Sequence, residues 1–136
     1  MAVMVLKNAY ILINNVDLSN HVDNVSLTYE ANAVETTAFG SSTKTRICGL
    51  KDWSVELELN QDYAAGSVDA TLFPLVGGAA FPVEVRPDAG ARSATNPAYT
   101  GNVILTSYPP IDGKVGELAK TKIKLQAAGD LSRLTV

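Results

Sequence analysis

The chain has 136 residues, 46% of them hydrophobic and 18% charged, with a net charge of −3. That length holds one domain and one core, and the balance lies far from the charged, apolar-poor composition of disordered chains. A mildly acidic surface has no basic footprint for gripping nucleic acid, and one histidine with one cysteine can build neither a zinc set nor an internal disulfide.

In chain order, the opening run MAVMVLKNAYILINN is apolar but interrupted by Lys7 and Asn8, and it lacks a basic start. It predicts a short arm and a first strand rather than a membrane span or a cleaved leader. Tyr10 to Ile13 close on NNVD, the signature of a strand entering a tight turn. In VDNVSLTYEA, Val25, Leu27 and Tyr29 share one face while Ser26, Thr28 and Glu30 share the other, a half-buried strand. WSVELELN is the cleanest signal: Trp53, Val55, Leu57 and Leu59 point one way, and Ser54, Glu56, Glu58 and Asn60 the other. GSVDATLFPLVGG then predicts a short helix with Ser67 at its cap, Asp69 in its first turn, and an apolar stripe of Val68, Leu72, Leu75 and Val76. Pro74 breaks it near Phe73, and Gly77-Gly78 stops it. FPVEVRP and YTGNVILTSY read as strands on either side of a loop rich in turn formers. In TKIKLQA, Ile123, Leu125 and Ala127 face inward, with Lys122, Lys124 and Gln126 outward. The fold class is therefore mainly β: a β-sandwich or partly closed barrel of about six to seven strands with one short flanking helix.

No residue set has the pattern of an active site. His21 lies in SNHVD without a motif around it, the calcium-like DLSNHVDN lacks the glycine and the closing glutamate, and GSSTK lacks phosphate-loop spacing. Glu56 and Glu58 imitate a glycosidase pair, but a charged outer face matched by Lys122 and Lys124 explains them. The reading is non-enzymatic, with no cofactor and no metal. Cys48 fits a small apolar role in a reducing compartment.

The unexplained stretch is ETTAFGSSTKTRICGLKDW, residues 35–53, polar and basic with a single Phe39 in its middle. Fixing ~20 backbone residues opposes folding by ~1–2 kcal/mol each. Burying one phenylalanine returns only ~1.5–3 kcal/mol. The segment is expected to be loose in a single molecule, either as a slack surface loop or as a surface that neighbouring copies order.

DLSNHV, ETTAFG, GLKDWSVELELNQD, DATLFPLVG, VEVRPD, TNPAYTG and the closing AAGDLSRLTV together resemble the tail tube (major tail) proteins of long, flexible-tailed bacteriophages, especially those infecting actinobacteria. The likeness runs over nearly the whole chain. It implies a single tail-tube-like β domain over 1–136, with an N-terminal arm (1–8), a long inter-strand loop (32–52) and a C-terminal arm (129–136). It also implies hexameric rings stacked into a tube, with Thr36, Thr37, Phe39, Gly40, Lys44 and Arg46 as loop contacts and Leu131 and Leu134 as arm contacts. Glu56 and Glu58 become candidates to face an acidic lumen through which DNA passes without specific binding. The implied partners are other copies of the chain, a tape measure protein, a tail terminator and baseplate or tip proteins. The implied location is the virion tail, assembled in the host cytoplasm, with no membrane. The chain carries no added surface domain in this reading, so a bare tube is expected. The alternatives are a capsid decoration or minor tail protein of the same type of phage, and a carbohydrate-binding β module.

Overall fold

Asn14 and Asn15 both adopt positive φ, 49° and 65°, which is what a two-residue turn between right-twisted strands demands. The turn joins β1 (Tyr10–Ile13) to the two-residue β2 (Val16–Asp17), and a 3₁₀ turn at Ser19–His21 leads into β3 (Val22–Glu35). The remaining elements are β4 (Arg46–Asn60), α1 (Val68–Leu72), β5 (Phe81–Arg86), β6 (Ala98–Leu105), β7 (Lys120–Ala127) and β8 (Ser132–Leu134). This is the architecture of a computed structural model that describes residues 3–136.

All strand pairs are antiparallel, in the order β2-β1-β5-β6-β7-β4-β3. Strand β6 has β5 along one edge, while β7 and β8 share the other: Val103–Leu105 bond to β7 and Ala98–Thr100 to β8. The sheet folds over on itself there. Trp53 of β4 thereby reaches Gly101 of β6 so closely that a Cβ on Gly101 would lie 2.5 Å from the indole. The indole Nε1–H donates to the carbonyl of Gly129 at 2.8 Å, tying the last segment of the chain to the core. The layered, sandwich-like arrangement expected from the sequence is present, and the sheet does not close into a barrel.

Eight strands replace the six or seven expected, because β2 and β8 are too short to write a period. The alternation of β4 and β7 is correct in every residue singled out: Trp53, Val55, Leu57, Leu59, Ile123 and Leu125 are buried in one core with Ile11, Ile13, Val68 and Leu72. The helix is as short as Pro74 requires and passes into a 3₁₀ turn at Phe73–Leu75. Ser67 holds the N-cap position, but its hydroxyl does not cap the helix. It donates to Asp62 Oδ2 at 2.8 Å instead.

The segment 129–136 is not a free arm. Leu131 packs against the core and Ser132–Leu134 pair with β6, because the upper half of that strand's edge is left open by β7. At the other terminus, Val3 to Leu6 are exposed and belong to no strand. Met1 and Ala2 of the expected arm lie outside the described residues.

Candidate assembly surface

Strands β3 and β4 pair from Val22↔Leu59 to Glu35↔Arg46, but β7 accompanies β4 only from Ser54 to Asn60. Beyond Trp53 the two strands run on alone. Every residue from Glu30 to Glu35 and from Arg46 to Asp52 is exposed. The expected loop 32–52 is thus mostly strand, and only 36–45 connects. The ladder pairs the backbone groups of the two strands, although neither face of it is buried. Between the pairs Ala31↔Lys51 and Ala33↔Cys48, one residue of β3, Asn32, faces two of β4, Gly49 and Leu50, which is a β-bulge. Gly49 lies within it, where a Cβ would sit 3.1 Å from Val34 Cγ2 and 3.3 Å from the Asn32 carbonyl. Beside it Leu50 is thrown outward, 88% exposed.

The tip is pinned by threonines. Thr36 N–H donates to the Thr45 carbonyl at 2.8 Å, their hydroxyls lie 2.9 Å apart, and Thr45 N–H donates to Thr37 Oγ1 at 2.9 Å. Gly40, at φ +89°, takes the left-handed turn that a side chain would resist. Phe39 beside it touches nothing that shields it from water. The hairpin therefore brings Thr36, Thr37, Phe39, Gly40, Lys44 and Arg46 to one end of the molecule, with Ile47 and Leu50 exposed nearby. Leu131 and Leu134 are elsewhere, half-buried beside β6.

Glu56 and Glu58 lie on the outer face of β4, and directly opposite them stand Lys124 and Lys122 of β7. Lys124 Nζ is 4.0 Å from Glu56, and Lys120 Nζ is 3.8 Å from Glu58 and 2.6 Å from Asp23. The Asp23 hydrogen bond raises the Lys120 pKa above the ordinary lysine value. This face is charge-balanced rather than acidic, because the register that aligns β7 with β4 sets a lysine across from each glutamate.

Three further arrangements had no sequence signature. His21 Nε2 lies 3.2 Å from Ser67 Oγ and 3.6 Å from Asp62 Oδ2. In a nucleophile relay the carboxylate holds the far ring nitrogen, whereas here it accepts the serine hydroxyl's hydrogen bond. Ser67 is buried, and the group staples the Ser19–His21 turn to the start of α1. The Ala64 N–H, and then the Ser67 hydroxyl, hold the Asp62 carboxyl below the usual carboxylate range. Next to it the Tyr108 hydroxyl donates to Asp69 and accepts from Gln61, both at 2.8 Å, and burial pushes its pKa up to about 12. On β5, Glu84 is buried between Arg86, 2.8 Å away, and Arg92, while the Arg86 guanidinium stacks 4.0 Å over Tyr10. Trp53, 4% exposed, offers no stacking platform for a sugar. Among the described residues no group of three or more His, Cys, Asp or Glu is arranged to hold a metal ion, and no helix is long and apolar enough to cross a membrane.

Comparison of the coordinates with solved structures decides the fold family. A chain from the virion of a native gene transfer agent particle superposes with a TM-score of 0.72 at 18% identity, covering 96% of this chain and 98% of that one. A chain from an extracellular contractile injection system, described as a sheath/tube terminator in the extended state, gives 0.73 at 13% identity over 98% and 97%. The fold is tail-tube-like. A third chain, from the tail of an empty gene transfer agent particle with C6 symmetry, gives 0.63 at 20% identity over 82% and 81%. No protein family description matches the sequence, and no curated protein matches it. Within this tail-tube-like fold, β3 ends the sheet, and no strand among the described residues pairs with its outer edge.

Proposed function

We propose that this chain is the repeating structural subunit of a phage-type tail tube, without catalytic activity. Six copies close into a ring, and rings stack into a hollow, non-contractile tube through which DNA passes without specific binding. The observation that carries this is the end-to-end match of the fold to a chain of a gene transfer agent virion. The six-fold count follows the C6 symmetry of a gene transfer agent tail containing a similar chain. The non-contractile type follows the sequence likeness to long, flexible-tailed phages, since similar folds occur in contractile systems as well. Assembly in the host cytoplasm, and contact with a tape measure protein, a terminator and a baseplate or tip, belong to the same reading.

Two unfinished parts of the subunit give the proposal a physical basis. The outer edge of β3 presents unpaired backbone groups along fourteen residues, a template for pairing with another copy. The distal hairpin is a two-stranded ribbon, a form of marginal stability in water until something covers a face of it. Head-to-tail contact with a closing rotation joins such parts into a ring.

A second reading has its own support: similar chains belong to structures described as a tube terminator and as a tube-terminating cap. A tube-end subunit would form one ring and stop. Electron microscopy of the purified protein separates the two. Long hollow tubes support the repeating subunit, single rings support the tube-end component, and monomers at every concentration overturn both. Cys48 does not take the buried apolar role expected of it, because both faces of the distal hairpin are exposed, and it supplies a solution readout. It should react with a maleimide in the monomer and be protected in tubes, and full reactivity in tubes would remove the hairpin from the interface.

A further inference from the structure

The end of the molecule opposite the hairpin tip carries a second exposed apolar surface. The connection between β6 and β7 is fixed at its base. Gln61 N–H donates to the Ala119 carbonyl at 3.0 Å and Thr121 Oγ1 to the Pro109 carbonyl at 3.0 Å. The Gln61 side chain and the Tyr63 hydroxyl both donate to the Pro110 carbonyl, at 2.8 and 2.6 Å. From this fixed base the loop 109–119 projects Ile111, Val115 and Leu118, all strongly exposed, with Val115 at 105%. Core-sized side chains held outward on an anchored loop have no role in the isolated fold.

We infer that this loop is the seat for the hairpin tip of a second copy of the chain, so that subunits stack end to end. The inference rests on the tube reading and adds the receiving surface to it. Strand β4 runs from Arg46 at the tip to Asn60 beside the loop, so the two apolar surfaces lie at opposite ends of one strand pair. Their charges are complementary. Residues 35–46 hold Lys44 and Arg46 against Glu35 alone, whereas 109–119 holds Asp112 and Glu117 against Lys114 alone. Two tips brought together would repel, while a tip on a loop attracts. A contact between different surfaces, present on every copy, does not use itself up and propagates along an axis.

The test has two arms, on the full chain. Ile111→Asp/Val115→Asp adds charge at exposed positions, so the monomer's melting temperature should stay that of the unsubstituted protein. The critical concentration for polymerisation should rise by at least about 100-fold, as many weak contacts in a ring fail together. In the second arm, Phe39→Cys/Val115→Cys in a Cys48→Ser background is treated with a short bismaleimide after assembly. A ladder of dimers, trimers and larger species supports the seat, with no ladder from either single cysteine. Tubes that give no ladder, or that form normally from the Asp variant, overturn the seat and leave the tube reading standing. Failure of the unsubstituted protein to form tubes or rings overturns the tube reading, and the seat with it.

Discussion

The two halves of the β3–β4 hairpin are built from the same two strands and behave as different materials. In the body half, β4 alternates strictly, with Trp53, Val55, Leu57 and Leu59 buried beneath a second layer. In the distal half, Arg46 to Asp52 bury nothing. The ladder runs through both, with one register shift in each, at Val22/Asn24 and at Ala31/Ala33, so pairing alone does not separate them. The difference is company: β7 stops at the register of Ser54, and no opposing layer extends beyond Trp53. A ladder fixes direction and register, but burial supplies the stability. The body half thus holds the fold together, and the distal half is a paired extension whose exposed side chains remain available to a neighbour.

The sharpest way to break that comparison is to shorten the distal half. Replacing 36–45 with a two-residue Asn-Gly turn should abolish tubes in electron micrographs while the monomer melts within a few degrees of the parent. A large loss of monomer stability would show that the hairpin belongs to the folding unit after all. In the body half, Leu59→Ala removes a fully buried side chain and should cost about 2–5 kcal/mol in a denaturant titration. Gly101→Ala forces a methyl into the Trp53 ring and should cost about 1–3 kcal/mol by the same measurement.

Tyr108→Phe deletes the hydrogen bond to Asp69 and should cost about 1 kcal/mol at neutral pH. It should also change the alkaline limb. The folded phenol titrates near 12, above its ordinary 10.0, so the folded state binds this proton more tightly than the unfolded chain does. Its contribution is complete below pH 10 and is lost as pH rises toward 12. The phenylalanine variant should lack that part of the decline in stability scans across this window. Smallest of all, Leu50→Ala on the distal half should move monomer stability by no more than about 0.5 kcal/mol. A value matching that of Leu59→Ala would mean the two halves are not distinct.

The legible parts of the molecule are those where one face is buried and the other wet. There the two-residue period is written into the chain, and Val55, Leu57, Leu59, Ile123, Leu125 and Ala127 could be placed on the core side from the sequence. The distal hairpin was legible as an anomaly, a polar run around Phe39, but not as strand. A ribbon exposed on both faces has no apolar alternation to display. In place of an open loop the stretch is a ladder closed by Thr36, Thr37 and Thr45, a two-stranded ribbon of marginal stability until a neighbour covers it. The threonines expected as contacts to other subunits are first of all contacts within the tip.

What the sequence determined by itself was local: β-rich structure, the Asn14-Asn15 turn, the short Pro74-limited helix, and the inward faces of the central strands. These follow from φ preferences and from periodicity, which act over a few residues. Only the tertiary structure decided the rest. It folded the C-terminal segment back onto β6, with Trp53 bonded to Gly129 across 76 positions. It set lysines opposite Glu56 and Glu58, gathered His21, Asp62 and Ser67 into one staple, and placed the two exposed apolar surfaces at opposite ends of one strand pair. Such long-range pairings depend on which edges and faces are left open once the core has closed, and no local pattern in the chain records that.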